Sequence, residues 1–455
     1  MELESYYGIY RPYFRDEEQR QYGYHYLSGL LDPTIERKSA ENIALGRIGT
    51  EGVRSLQYFL GESGWREQGI LSEHRRQIGL HLGRSDGVLI LDGSDCAKQG
   101  EHSVGVQRQW CGELGKTANC QAGVYLGYSS QRGYSLLDRR LYMPECWFSA
   151  EYSARRYQCR VPTSLTFQTK NELAWQMVHE VQQAGTLAVR WVTMDEAYGK
   201  DSVLLERIAE QTPYWYFAEV PKDTLVWQAR PATYVPEYTG KGRPPSQERL
   251  APTAPPPLSV GQLASQLPAS AWSLHALKEG SKGLIIAQMA FCRVVASHNG
   301  LPGPDLWLVL RRSTSDPTAL HYFLSNAPPD ITHDELVTVA ALRWPIETIF
   351  EQAKQLLGLN HYETRTWLGW HHHMTLVILA FGFLARSQLE LAPDAPALTL
   401  NQVIDLLKAV LPKPMFEPQQ VIERLRYKQA RIASAKKYHY LLQNKRIIDQ
   451  TLVAQ

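Results

Sequence analysis

Between residues 1 and about 80, apolar positions recur every three to four residues in YGYHYLSGLL, AENIALGRI, GVRSLQYFLG and LSEHRRQIGLHL, the spacing of helices that bury one face. Gly46, Gly52, Gly61 and Gly64 punctuate these segments and predict short helices joined by tight turns. From Gly87 the pattern changes to strands. GVLILD is a continuous apolar run that stops at an acid; a long Gly-rich loop should follow, then QAGVYLGY and GYSLLDRRLYM as two strands around a turn at Ser129 to Arg132. NELAWQMVHEVQQAG returns to helical spacing, and TLAVRWVTMD is a second buried strand ending in an acid. A helix around SVLLERIAEQ and the strand YWYFAEV complete the series. Three strands, helix, strand, helix, strand describe a mixed sheet flanked by helices, an α/β fold.

The order breaks between Pro221 and Pro328. GKGRPPSQERLAPTAPPPLSVGQLASQLP is Pro-rich and linker-like, whereas WSLHALKEGSKGLIIAQMAFCRVVAS, LWLVLRRS and LHYFLSN read as strands of an inserted unit too long to be a bare loop. Helical spacing resumes at ITHDELVTVAAL and continues to QVIDLLKAVL. The expected division is a helical N-terminal domain at 1–82, a catalytic domain from 83–222 and 329–385, a β-rich insertion at 223–328 and a basic helical region at 386–455. The N-terminal helices suit a helix-turn-helix-like DNA reader or a plain helical cap equally well.

Composition narrows the class. With 455 residues, 44% hydrophobic and 21% charged, the chain is expected to be an ordinary globular protein of several structural units. Its longest apolar pieces, LIIAQMAF and MTLVILAFGFLA, fall short of a membrane span, and MELESYY does not begin a signal peptide. A cytoplasmic protein is therefore expected, nucleoid-associated when bound to DNA. The six cysteines contain no CxxC pair, which argues against a zinc knuckle and a disulfide framework. The net charge is only +2, but Lys413 to Arg446 holds nine Lys or Arg against two acids, among them Arg424, Arg426, Lys428, Lys436 and Lys437, interleaved with tyrosines. Such a stretch can contact phosphates or simply form a solvated helix face.

Three acids carry the candidate chemistry. Asp92 follows Val88, Leu89, Ile90 and Leu91, and Asp195 follows Val189, Trp191 and Val192, so each is expected at the carboxyl end of a buried strand, facing a crevice. Glu347 belongs to a helix. Trp344 precedes a proline and is biased away from helix, Pro345 suits the first helical position, and Glu347 falls in the first turn, where the helix dipole favours an ionised carboxylate. Ile346, Ile349, Phe350, Ala353, Leu356 and Leu357 make the buried stripe of that helix, Glu347, Glu351 and Lys354 its flank, and Gly358 its end. Three converging carboxylates are what a pair of divalent metal ions needs for phosphodiester cleavage, and Arg343 and Lys354 supply cations for a phosphate. His371, His372 and His373 cover different sides of one helical turn, which suits a structural role better than a metal site.

These residues carry a family resemblance over most of the chain. RWPIETIFEQAKQLLGLNHYETRTWLGWHHHMTLVILAFGFLA resembles the C-terminal signature of DDE transposases of bacterial insertion sequences, specifically the insertion-sequence 701 family within the insertion-sequence 4 group. LDGSDCAKQGEHSVGVQRQWCGELGKTANCQAGVYLGY is similar to the block around that family's first acid, and VTMDEAYG with YFAEVPKDTLVW to the block around its second. The resemblance implies an RNase H-like sheet with a β-rich insertion before the last acid. It makes Asp92, Asp195 and Glu347 the metal-binding catalytic triad. Two Mg2+ ions per site are implied, with Mn2+ able to substitute. Arg343 and Lys354 would hold transposon-end phosphates, with Lys98 and Lys116 of the first block as further DNA contacts. Trp272 would either stack a flipped base at the transposon end or pack in the insertion's core. Double-stranded DNA and a homodimer on paired ends are the implied partners. Two positions depart from the pattern: the signature's Tyr falls at Ala340, and Gly93 stands where a second acid often follows the first. The expected function is cutting of insertion-sequence ends and their joining to target DNA. The alternatives are a catalytically silent DNA-binding regulator derived from a transposase, and a stand-alone RNase H-like nuclease.

Overall fold

The computed structural model describes residues 2–237, 243, 246–280, 283–314, 316, 319–343 and 345–453. The chain divides into two compact units, Met1–Glu67 with Ala353–Gln455, and Gln68–Gln352.

All the strands belong to the second unit. They are β1 (Val88–Ala97), β2 (Gln107–Cys111), β3 (Lys116–Ser130), β4 (Gly133–Tyr142), β5 (Trp191–Met194), β6 (Trp215–Val220), β7 (Leu225–Trp227), β8 (Thr233–Tyr234), β9 (Arg249–Leu250), β10 (Leu258–Ser259), β11 (Ser273–Gly280), β12 (Gly283–His298), β13 (Leu301–Ser313) and β14 (Leu320–Ser325). Among the described residues twelve of them form one sheet in the order β10-β7-β12-β13-β14-β6-β5-β1-β3-β2, with β4 beside β3 and β11 beside β12, while β8 and β9 pair separately. In the run β4-β3-β1-β5-β6, β3 is antiparallel to its two neighbours and β5 and β6 run parallel to β1. That order and sense make an RNase H-like core. The parallel part needs helices on its connections, and the chain supplies Lys170–Ala184, opened by a Thr169–Glu172 capping box, before β5, and Ser202–Gln211 between β5 and β6.

Three sequence expectations change here. The loop expected directly after GVLILD begins only at Lys98: β1 runs on to Ala97, because its pairing with β3 continues to Ala97↔Cys120 long after β5 has stopped at Met194. The strand expected from Thr186 begins only at Trp191. The strands read as an insertion do form, but β14 pairs with β6 directly, so they lengthen the sheet that carries the acids rather than folding apart from it. Part of the Pro-rich stretch, residues 238–242 and 244–245, lies outside the described residues, as does Trp344.

The first unit is helical. Its N-terminal helices Leu3–Gly8, Glu17–Leu31, Ala40–Arg47 and Gly52–Gly61 pack with Trp367–Leu391 and Leu400–Val410. Trp367–Leu391 corrects the expectation that no segment reaches membrane-spanning length: it is long and apolar enough by length and composition, but 72% of its most apolar window is buried. It is apolar nearly all round because it is a core helix. Tyr6 donates to the Leu379 carbonyl at 2.9 Å, His372 stacks on Trp65 with ring centroids 3.9 Å apart, and His373 joins the Tyr26 hydroxyl at 2.8 Å to the Gly358 carbonyl at 3.0 Å. The three histidines are thus buried structural groups, as their spacing implied.

Candidate active site

β1 and β5 bring the two aspartates together. Leu91 pairs with Met194 in parallel register, so Asp92 and Asp195 are the next residues on adjacent strands and leave the sheet on the same face. Asp92 is therefore not at the end of its own strand, as the sequence suggested; it lies where β5 ends, opposite Tyr125 of β3. The crevice is made by the neighbour that stops. Asp195 caps the short helix Glu196–Gly199, accepting from the backbone N–H of Ala197 at 3.1 Å and of Tyr198 at 3.4 Å. The Gly93 N–H donates to Asp92 Oδ1 at 2.6 Å, and Asp95, the nearby acid of the same block, is engaged by the Gly112 N–H at 2.7 Å.

The helix His333–Arg343 packs on β1, β3 and β5, and the first turns of Pro345–Leu357 lie over β3. Ile346, Ile349 and Phe350 are buried as the 3.6-residue pattern required. Ile346 lies so close over Gly127 of β3 that a Cβ there would meet its Cδ1 at 2.9 Å, and Phe350 meets Tyr125 edge-on at 5.3 Å. This packing leaves Glu347 exposed on the helix's first turn, near enough for its charge to act on Asp92. Arg343, last residue of its helix, acts on both aspartates.

Burial and then the Asp195 charge push the Asp92 carboxyl up to about 7, against the Gly93 hydrogen bond and Arg343, which lower it. Burial raises Asp195 as well, opposed by Arg343 and the two backbone N–H groups. Beside them the Tyr198 hydroxyl is buried with no hydrogen-bond partner, and burial followed by the charges of Asp92, Asp195 and Asp95 makes it a far weaker acid than usual. Two desolvated, mutually repelling carboxylates next to an unpaired hydroxyl, all oxygen donors, fit a hard divalent cation, whose charge would remove the repulsion. Among the described residues no three His, Cys, Asp or Glu side chains are yet gathered as a metal-holding group. The aspartate pair is formed, and Glu347 stands outside it.

The structure also brings in residues that the sequence reading missed. Glu219 of β6 follows Ala218, the partner of Met194, and so extends the row Asp92, Asp195, Glu219 across three strands. It is ion-paired with Arg343, Nη2 to Oε2 2.9 Å, and accepts from His321 Nδ1 at 2.6 Å. Its only signal in the sequence is that it is the lone charged side chain in YWYFAEV.

Other expected contacts lie elsewhere. Lys98, just past the end of β1, and Lys116, at the start of β3, sit six and nine residues from Asp92 and Tyr125, roughly 20 and 30 Å away at the rise of a strand. Trp272 is half-buried, with the Arg312 guanidinium 4.0 Å from its ring centre. Ala340 is buried and offers no polar group. Lys354, half-buried, belongs to the helical unit. So do Arg424, Arg426, Lys428, Lys436 and Lys437, which lie on the helix Pro418–Val453. Arg424 is half-buried, its guanidinium 4.5 Å from the Phe416 ring centre, and the other four are exposed. Arg37, Lys413, Arg424 and Lys428 line a cleft of about 500 Å3 in that unit.

A family model described as DDE superfamily endonuclease matches residues 10–284, more than half of the chain. The matched span includes Asp92, Asp195 and Glu219 and stops before Arg343 and Glu347. Among solved structures, the piggyBac transposase synaptic complex with hairpin DNA is similar over 90% of this chain and 76% of its own, at 10% sequence identity and a TM-score of 0.43. No curated protein sequence matches the chain.

Proposed function

Because the chain belongs to the DDE superfamily of endonucleases, we propose that it is a DNA transposase of the insertion-sequence 701 family that cuts its element's ends and joins them to target DNA. The observation that carries this reading is the in-register pair Asp92 and Asp195, desolvated on one sheet face with the Arg343 charge beside it.

Asp92, Asp195 and Glu347 would hold two Mg2+ ions, with Mn2+ able to substitute, which when bound supply an activated oxygen nucleophile at neutral pH and charge neutralisation at the phosphate. The chain's own groups do the rest. The Ala197 and Tyr198 N–H groups fix one Asp195 oxygen, and the Gly93 N–H fixes one Asp92 oxygen, so neither carboxylate has to be ordered when substrate arrives. Arg343 supplies a fixed positive charge where the phosphoryl oxygens gain negative charge. In cleavage a water oxygen bonds to phosphorus as the P–O3′ bond breaks, leaving a 3′-hydroxyl and a 5′-phosphate. In joining, that 3′-hydroxyl attacks a target phosphodiester and releases the target's own 3′-hydroxyl. Both steps exchange one P–O bond for another, so one site serves them without a covalent protein intermediate. Duplex DNA is the substrate, and two copies on paired ends form the working assembly.

The test is cleavage and joining of a labelled duplex carrying the element's end sequence, with Mg2+ or Mn2+, for wild type and Asp92→Asn. Metal-dependent nicking and strand transfer in the wild type, reduced at least about a thousandfold in the variant, is the expected outcome. Tight end binding with no cutting by either protein would replace the reading with that of a regulator, and cutting without joining with that of a nuclease.

A further inference from the structure

Arg343 is not a free cation waiting for a phosphate. Its Nη2 is 2.9 Å from Glu219 Oε2, and both side chains are mostly shielded, 14% and 16% exposed. Glu219 comes from the strand next to the one that delivers Asp195 and faces the same side of the sheet. Its second oxygen accepts from His321 Nδ1 at 2.6 Å, and His321 reaches it from β14, where Phe323 is the residue paired with Glu219. Burial alone would raise the Glu219 carboxyl, but the His321 hydrogen bond and the Arg343 charge hold it below the ordinary range. Both oxygens are thus committed. That separates Glu219 from the two aspartates in the same row, whose hydrogen bonds from the backbone each occupy a single oxygen.

A guanidinium is a planar fork with five N–H donors and one carboxylate oxygen cannot take them all, so N–H groups of Arg343 beyond its contact with Glu219 Oε2 can meet another anion. What the pair fixes is where those groups sit. An unanchored arginine would otherwise carry its long side chain through many rotamers. Arg311, opposite His321 on β13, adds a second positive charge near Arg343 and Glu347, and its repulsion of Arg343 gives the Glu219 anchor something to oppose. We infer that Glu219, oriented by His321, is a positioning residue that fixes Arg343 beside Asp92 and Asp195 so that its remaining N–H groups meet a phosphate of the DNA being cut. This rests on the endonuclease reading of the aspartate pair.

The experiment uses the full chain with Glu219→Gln, Arg343→Ala and the double substitution. Nicking of supercoiled plasmid in Mn2+ is followed, together with binding of an arbitrary 40-base-pair duplex in Ca2+. Glu219→Gln should lower kcat for nicking about 10- to 100-fold with KM nearly unchanged, and should cost nothing further in the Arg343→Ala background. His321→Asn, which loosens the anchor and leaves the ion pair, should show a smaller loss of the same kind at an unchanged melting temperature, which guards against misfolding of the first variant. A loss of the same size with and without Arg343, or no loss, overturns the inference and leaves the endonuclease reading intact. If even the wild type does not nick while it still binds the duplex in Ca2+, the endonuclease reading falls and the positioning role falls with it, an outcome distinct from a nicking wild type whose Glu219→Gln loss is absent or independent of Arg343.

Discussion

His74 is fully buried on the helix Glu67–Leu82; its Nε2–H donates to the Leu136 carbonyl at 2.8 Å, and Nδ1 has no partner. Charging the ring would place a proton on that unpaired nitrogen, and burial pushes its pKa from the ordinary 6.5 down to about 4. Between those two values the unfolded chain binds the proton and the folded chain does not. Stability from this group is therefore complete above pH 6.5 and is lost as the pH falls toward 4, at up to about 1.4 kcal/mol per pH unit. Urea denaturation at pH 7 and pH 5 should show the wild type losing about 2 kcal/mol more than His74→Gln over that interval; equal losses would mean that the ring is already solvated or paired. Asp138, equally buried, behaves the opposite way. Burial would raise it, but Arg140 at 2.7 Å, Arg139 at 3.4 Å and Arg75 at 3.1 Å keep it charged and its pKa low. One buried group is kept neutral and the other ionised because only the second is in direct ion pairs, while the Asp138 charge that reaches His74 is outweighed by burial and opposed by Arg75.

The elements that build the site work by ending at different places. β5 stops while β1 continues along β3, and the short helix Glu196–Gly199 starts at once, turning Asp195 into its cap. That helix is tucked against β6 through Gly199, where an added Cβ would lie 2.0 Å from the Glu219 carbonyl oxygen. The obstacle is backbone, so it cannot rotate away. Gly199→Ala should push the helix off β6 and shift Asp195 relative to Asp92, lowering metal-dependent nicking by about a hundredfold. Far-UV circular dichroism should stay near that of the wild type. Retained activity would show that the helix can slide without moving its cap.

For the whole molecule, two ends of the chain that are far apart in sequence share one helical unit, and the segment between them is the sheet unit. The helix Pro418–Val453 in the former is exposed over most of its described length, tied at Arg431 to Glu41 at 3.2 Å. Exposed lysines on a tethered helix are suited to backbone contacts that do not depend on sequence. Lys436→Gln with Lys437→Gln is expected to weaken duplex binding and reduce the slope of log affinity against log salt by about 1.8. Nicking at saturating DNA should be unaffected. An unchanged slope would return those residues to the role of a solvated face.

How much of this was legible in the sequence follows from the range of the forces involved. Period and punctuation are local, so GVLILD as a strand, the helix from Pro345 to Leu357 with its buried stripe except the half-buried Leu356, and the helical start all read correctly. The acids stood out because a lone carboxylate after an apolar run has few other places to go. Register is not local. That β1 would outrun β5, placing Asp92 mid-strand, depended on how long β3 stays paired with it. That β14 would join β6, making the apparent insertion part of one sheet and delivering His321 to Glu219, depended on edges meeting across a hundred residues of chain. The sequence by itself determined the elements and the acids, because backbone propensity and burial act within a few residues. Only the tertiary structure decided that Arg343 is anchored and by whom, because an ion pair is set by which strand lies beside which.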